Sequence, residues 1–385
     1  MRDVFVAAVG QAQVGEQWNA SLRDLAHEAL SPLLDPAGKD GVGALYVGNM
    51  LSGELAGQEL LGALLSDHVG WRGLEALKVE AGSAAGGAAV RVGYLAVASG
   101  LHDLVAVLGV EKVTDAESGE VAGALALATD GDHEAAHGVS LVSQSALLMQ
   151  RYMHEFDAVH EDFAAFSVNA HRNAVSNPNA MFRRPITTEE FASARMLADP
   201  VNLLDSAPVA DGAAALLLGS GERARQISDK PVRIAASSVA TDSVSIAERS
   251  DPLSFGAAHR SAQEAYRQAA VGPADIDLFE LHDAFALMAA LSLEAGGFAD
   301  RGRGLDPARE GEIAIEGSIP ISTMGGLKGR GHPVGATGVY QIVEVVQQLQ
   351  GEAEANQIPD CRVGMAQSLG GIGATAITHI LEAPG

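Results

Sequence analysis

Four short strings carry the groups that could do chemistry. The densest is GGLKGRGHPVGATG, Gly325–Gly338. Its glycines permit tight turns and close approach of the main chain to a ligand. His332 stands between Gly331 and Pro333, just ahead of a helix expected from Thr337, which makes it a candidate general base or oxyanion donor. In ELHDAFA, Glu280–Ala286, a strand runs into a helix and places His282 beyond the strand's C-terminal end, where ligands sit in open α/β sheets. Asp283 of that string reads as a helix N-cap. In VEAGSAAGGAAV, Val79–Val90, strand, turn and small-residue helix bring Ser83 to a helix N-terminus, where N–H groups and the helix dipole stabilise an anion. The fourth string, SLGGIGATA, Ser368–Ala376, is a glycine turn between two strands whose N–H groups could donate to a developing oxyanion. Taken singly, a lone histidine is more often a satisfied core residue, and a serine at a helix start more often a cap. The glycine-dense, proline-fixed setting of His332 favours function.

Positioning these strings falls to alternating strands and helices. Strands are expected at Val4–Val9, Ala44–Val47, Leu104–Gly109 and Ala213–Leu218, and again at Val232–Ala236, Ile276–Leu281, Arg362–Ser368 and Ala374–Leu381. Between them lie helical stretches at Ser21–Leu34, Ala81–Ala98, Phe255–Ala270, Phe285–Ala295 and Thr337–Leu349. Such alternation argues for an α/β fold with mostly parallel sheets covered on both faces. The order of elements repeats in two halves, 1–220 and 231–385, joined by a linker at Ser220–Lys230. A polar, His- and Asn-containing insertion at about 115–210 reads as a lid or binding layer.

Composition narrows the partners. With 385 residues, 47% apolar and 19% charged, the chain can bury a large core, which excludes global disorder. Acids outnumber bases 49 to 25, a formal charge of −24 that repels nucleic acid and anionic membranes. Only five lysines are present (Lys39, Lys78, Lys112, Lys230, Lys328), so arginine supplies the remaining bases. Acid excess with scarce lysine fits a salt-adapted cytosolic protein; the plainer reading is a GC-rich source. The lone Cys361 excludes a disulfide framework and any cysteine zinc site. The start, MRDVFVAAVG, reads as a first strand, and no run approaches the roughly 18 apolar residues of a membrane span. A cytoplasmic chain without metal is expected.

In this order and spacing, VEAGSAAGGAA, HDAFA, GGLKGRGHPVGATG and SLGGIGATA resemble the thiolases over essentially the whole chain. HDAF in place of an NEAF-type block places the resemblance near the archaeal and sterol-carrier-protein-type branch. The resemblance implies two duplicated βαβαβαββ halves in a five-layer α/β/α/β/α sandwich, with an inserted loop domain at about 115–210. It also implies coenzyme A thioesters as substrates and no further cofactor. Thiolases carry their nucleophilic cysteine where this chain has Ser83, and Cys361 cannot replace it by position. Where many carry a second cysteine, the candidates here are Ser368 and Leu369. What remains is a Ser83–His282–His332 set, resembling the Ser-His-His variant of haloarchaeal β-ketothiolases. Those work with a small OB-fold accessory subunit, and family members are dimers or tetramers.

On this resemblance His332 is the expected base. The Ser83 N–H and the Gly370/Gly371 turn form the oxyanion hole, and His282 holds the enolate. The segment SDPLSFGAAHR matches one near the pantetheine channel, which makes Ser254, Phe255 and Gly256 expected substrate contacts. Arg172, Arg183 and Arg184 are the basic residues expected to meet the nucleotide phosphates. Two other readings stand beside the enzyme. One is a degenerate thiolase that binds acyl-CoA or scaffolds a partner. The other is a ketoacyl synthase acting on a carrier protein, although those show GHT where this chain has GHP.

Overall fold

Runs of aliphatic residues become strands closed to water on both faces, as parallel strands covered by helices must be. In the computed structural model, which describes residues 2–38 and 42–384, the first half holds β1 (Val4–Gln11), β2 (Ala44–Gly48), β3 (Glu75–Val79), β4 (Leu104–Glu111) and β5 (Gly212–Ser220). Its helices α1 (Leu22–Ala37) and α2 (Ala85–Ala98) follow β1 and β3. Ser21 caps α1 through a capping box with Asp24. The second half holds β6 (Val232–Thr241), α3 (Gly256–Ala269), β7 (Leu278–Glu280), α4 (Ala286–Gly296), α5 (Thr337–Gln350), β8 (Val363–Gly370) and β9 (Thr375–Glu382).

The nine strands form one sheet in the order β3-β2-β4-β5-β1-β6-β9-β8-β7. In each half every strand but one runs the same way. The exceptions are β5 and β9, each the last strand of its half and antiparallel to both neighbours. The halves meet where β1 pairs antiparallel with β6 through Phe5 and Val6. Read outward from that seam, the strand orders correspond. A single parallel bridge between Phe279 and Ile321 stands where the first half has β3.

Side-chain alternation along the strands builds the layers. Leu45, Val47, Ala106 and Leu108 face α1 on one side, while Tyr46, Val105 and Val107 face α2 and α5 on the other. In the second half, Ile234, Leu278, Ala366 and Leu381 share that same central layer. Ala236, Phe279, Met365 and Ile380 turn outward to α3 and α4. The result is five layers, with α2 and α5 sandwiched between the two half-sheets.

The insertion supplies helices Leu141–Phe156 and Ala164–Ala174. Tyr152 of the first donates to Glu294 of α4 at 2.7 Å. Asn169 and Asn173 on the second, and Asn177 just beyond its end, recur every fourth residue, and their amides donate to the carbonyls of Ile321, Ser322 and Met324. The asparagines of this segment therefore grip the loop that leads to His332. Three local expectations change. Ser220–Lys230 contains a helix, Gly221–Ile227, capped by Ser220. The expected strand Ile276–Leu281 shrinks to β7, and the helix expected from Ala81 starts only at Ala85, which frees the turn at Ser83.

Candidate active site

The N-termini of the two central helices meet at their glycines. A Cβ on Gly338 would run into the backbone N of Gly87, and one on Gly86 would stand 2.8 Å from the carbonyl of Gly335. Only bare backbone lets α2 and α5 approach this closely. Ser83 and His332 occupy the turns just before these helices, corresponding places in the two halves.

Gly82, at φ +59°, makes the turn into Ser83. The Ser83 hydroxyl is buried and donates to the carbonyl of Leu369 at 2.9 Å. His332 is held by its main chain: its N–H donates to Pro208 O at 2.9 Å and its carbonyl accepts from Ala210 N at 3.2 Å. Its ring Nδ1 lies 2.7 Å from Thr337 Oγ1, which leaves Nε2 for a substrate. His282, at the end of β7, meets the His332 ring edge to face, with centroids 5.2 Å apart. Ser83, His282, His332 and Gly371 line one cavity of about 110 Å³, walled by Met50, Leu125, Leu141, Val142, Phe285, Met288 and Ile372. Burial, reinforced by the Arg330 cation, pushes His282 down to about 3. Burial, His282 and Arg330 push His332 well below the ordinary histidine range. Both rings are neutral near pH 7 and able to accept a proton.

Residues 4–222 match the family model described as Thiolase, N-terminal domain, and residues 238–383 match Thiolase C-terminal domain-like. The chain belongs to the thiolase family. It is similar to the acetyl-CoA acetyltransferase of Methanothermobacter thermautotrophicus, 42% identical over 99% of this chain and 100% of that protein. Sterol carrier protein 2 of Homo sapiens is 28% identical over 98% of this chain and 72% of its own length. Among solved structures, a chain of the Ltp2–ChsH2(DUF35) aldolase matches with a TM-score of 0.85 at 25% identity, covering 99% of this chain and 98% of that one. This thiolase is an enzyme of the acyltransferase class, and its fold is the thiolase fold.

The cavity gathers some of the expected site residues and leaves others outside. Gly371 faces it and also the neighbouring groove, whereas Gly370 lines the groove alone, and a Cβ there would run into Ala81 O. Ser368 points away and donates to Gln341 at 2.8 Å, so at the second-cysteine place Leu369 contributes only its carbonyl. Ser254 is exposed and bonds to Asp251 O; Phe255 is buried, its ring where a side chain on Gly373 would meet it; Gly256 opens α3 beside Asp242. None of these three lines the cavity. Arg183 and Arg184 are exposed, Arg184 paired with Glu190 at 2.9 Å, and Arg172 bonds to Asn169. Cys361 lies in a separate groove, where burial pushes its thiol up to about 12. Among the described residues, no group of three His, Cys, Asp or Glu is placed to hold a metal ion.

Asp283 does not cap α4. That helix starts at Ala286, and the carboxylate instead accepts from Leu327 N at 2.8 Å and Ser322 Oγ at 3.3 Å. It thereby ties the turn bearing His282 to the loop bearing His332. Sequence reasoning also passed over Glu111. Fully buried at the end of β4, its carboxylate accepts from Asn49 Nδ2, Met50 N, Leu51 N and Gly335 N. Burial pushes it up to about 7 against those N–H groups. Lys328 is buried too, donates to Asp205 O, and is pushed down to about 8 by loss of solvent. Lys328 stands between Leu327 and Gly329 in the glycine-dense string, whereas Glu111, followed by Lys112 at a strand end, carries no such signal.

Proposed function

We propose that the chain is a β-ketothiolase, an acetyl-CoA C-acyltransferase that works through an acylated Ser83. The observation that carries this reading is that Ser83, His282 and His332 line one apolar cavity at the meeting helix N-termini. The 42% identity to an acetyl-CoA acetyltransferase supports an acetyl-CoA substrate.

A serine hydroxyl needs a base, unlike a cysteine thiol with its far lower pKa. Neutral His332 takes the Ser83 proton as Oγ attacks the thioester carbon, and the oxyanion rests on the N–H groups of Ser83 and Gly371. The carbon–sulfur bond breaks, His332 returns its proton to the leaving thiolate, and coenzyme A departs, leaving an oxoester on Ser83. One of the two histidines then removes an α-proton from acetyl-CoA, with His282 donating to the enolate oxygen. The carbanion attacks the oxoester carbon, the ester C–O bond breaks, and the returning proton regenerates the Ser83 hydroxyl. Run backwards, the same steps cleave a 3-ketoacyl-CoA.

One observation favours a second reading. Ser83 directs its hydroxyl to Leu369 O, and a degenerate subunit that binds acyl-CoA without turnover needs no base on Ser83. The reading of a small OB-fold accessory subunit draws support from the DUF35 component named in the aldolase complex. The homodimer or tetramer, the cytoplasmic location and the salt-adapted source stand on the resemblance and on the −24 charge.

Thiolysis of acetoacetyl-CoA, measured in molar KCl with and without a co-expressed accessory subunit, tests the enzyme reading. Turnover is expected, together with an acetyl adduct on the Ser83 peptide after incubation with acetyl-CoA. Binding of acetyl-CoA without turnover or adduct under either condition would instead establish the degenerate reading.

A further inference from the structure

Arg330 shortly precedes His332 and is wholly buried, a rare place for a guanidinium. Its Nε stands 2.7 Å from Oε1 of Glu344, and its guanidinium carbon lies 5.0 Å from the centre of the Tyr340 ring. Tyr340 and Glu344 sit one turn apart on α5, so they present neighbouring side chains. Tyr340 is itself fixed: its hydroxyl donates to Ala12 O at 2.7 Å and accepts from Ala213 N at 3.0 Å, at the ends of β1 and β5. At the other end of the same loop, His332 bonds to Thr337, the first residue of α5. The segment carrying His332 is therefore pinned to one helix at two points.

Stability is a weak reason for such a pair. Desolvation, which pushes Glu344 up to about 8 even beside the guanidinium, offsets most of the attraction, and apolar replacements of similar volume are commonly as stable. Position is the better reason. Besides Glu344 and Tyr340, the field of the cation reaches Glu280 and Asp283 on the β7–α4 connection, which it favours as anions, and His282 and His332, which it disfavours as cations. Lys328, on the same loop, is turned to Asp205 and Asp283.

We propose that Arg330 is a positioning residue of the proposed reaction: clamped by Glu344 and Tyr340, it fixes the main chain that delivers His332 and sets a permanent cation against both imidazoles. A cation there opposes protonation of either ring, so the bases stay available as the pH falls. The inference rests on His282 and His332 being the acid–base groups.

The test compares Arg330→Met/Glu344→Leu, Arg330→Lys and His332→Ala in the full chain, by thermal unfolding and by the pH dependence of kcat and KM for acetoacetyl-CoA thiolysis. The double variant is expected to fold with little change in Tm and nearly unchanged KM. Its kcat should fall about tenfold or more, because only placement of the base is lost. Burial pushes Glu344 up to about 8, so its carboxyl carries little charge along the acid limb, and that limb should move upward by about one pH unit as the Arg330 cation disappears. Arg330→Lys should keep the acid limb in its native place while kcat stays reduced. A folded double variant with native kcat and acid limb overturns the inference. If the double variant does not fold, Arg330→Lys decides: a native limb with lowered kcat upholds the proposal, and an upward-shifted limb or native kcat overturns it. Activity surviving in His332→Ala would mark failure of the catalytic reading itself, which separates the two.

Discussion

The rings of His282 and His332 stand edge to face, 85° between planes and 5.2 Å between centroids, although one ends a strand and the other precedes a helix. Neither can carry a proton cheaply, buried as both are, with the other ring so close and the Arg330 cation adding to the cost. Each imidazole is thus a resting base, and two bases in one cavity suit a cycle with two proton abstractions.

The pH dependence follows from this neutrality. His282 is pushed down to about 3 and His332 lies well below the ordinary range, so the active form persists far below pH 6.5. Thiolysis kcat is expected to stay flat from about pH 8 to about pH 5.5, wherever the protein remains folded. A limb with a midpoint near 6.5 would show that a histidine of ordinary pKa controls turnover. Stability moves in a fixed direction as well. The unfolded chain protonates these histidines near 6.5 and the folded chain does not, so their stabilising contribution is complete above that pH and is lost as pH falls below it. Urea unfolding at a series of pH values should show this decline, and His282→Gln should make it shallower.

How the site could be read from the chain differs from residue to residue. Ser83, His282 and His332 each lie in a string whose glycines, proline or strand-to-helix change mark them locally, and folding brings all three to one cavity. Glu111 carries no such local mark, and Arg330 shares the glycine string of His332 with nothing in it that tells a buried guanidinium from an exposed one. In a chain of charge −24, a buried carboxylate is spelled like a surface one, and its partners lie far along the chain, as Gly335 does from Glu111. Asp283 reads as a cap because it follows a strand end, yet α4 starts at Ala286 and long-range donors take the carboxylate. The duplicated order of strands was legible as a pattern. The β1–β6 seam that joins the halves was not, since cross-strand pairing across so long a separation leaves no trace in local periodicity.

Thr337 should prove to orient the base. Its hydroxyl lies 2.7 Å from Nδ1 of His332, and such a bond selects the tautomer and ring angle. Thr337→Val preserves shape and removes the bond. We expect kcat lower by about 10–100-fold with KM little changed, and recovery in Thr337→Ser. Native kcat in Thr337→Val would show that the main-chain bonds of His332 suffice.

Glu111 holds the loop Asn49–Leu51 and the turn at Gly335 on one carboxylate, through four N–H donors. Glu111→Leu strands those donors in the interior, at a cost on the order of 3–5 kcal/mol. Glu111→Gln keeps the volume but turns one oxygen into a donor facing donors, so it should fall between Leu and native in urea unfolding. An unfolding midpoint of Glu111→Leu equal to native would mean that water replaces the carboxylate.

Gly338 is required by contact. A Cβ there meets Gly87 N and Ser368 Oγ, so Gly338→Ala must part α2 from α5. Overpacking of this kind costs about 1–3 kcal/mol, and displacing Ser83 from His332 by about 1 Å can cost 10²-fold in rate. Gly123, in a helix with open space around its Cβ position, is the control. Gly123→Ala should be neutral or stabilising by up to about 1 kcal/mol, with full activity. Equal behaviour of the two variants would remove helix approach as the reason for Gly338.

Ser83 decides whether the site turns over through an acyl-enzyme. Its hydroxyl now donates to Leu369 O at 2.9 Å, and attack on a thioester requires it to turn toward a base. Ser83→Ala removes the only group in the string able to take the acyl chain. Its thiolysis rate should fall by about 10³-fold or more, with no adduct after acetyl-CoA. Ser83→Cys supplies a nucleophile that ionises on its own near pH 8.5, so dependence on the histidine base should weaken. We expect Ser83→Cys to match or exceed the native rate and to form a thioester adduct on the same peptide. The His332→Ala change should then harm Ser83→Cys less than it harms the native chain, a coupling read directly from the double-mutant cycle. Undiminished turnover in Ser83→Ala would move the acyl carrier elsewhere. Loss of all activity in Ser83→Cys would show a cavity shaped for oxygen and too tight for sulfur.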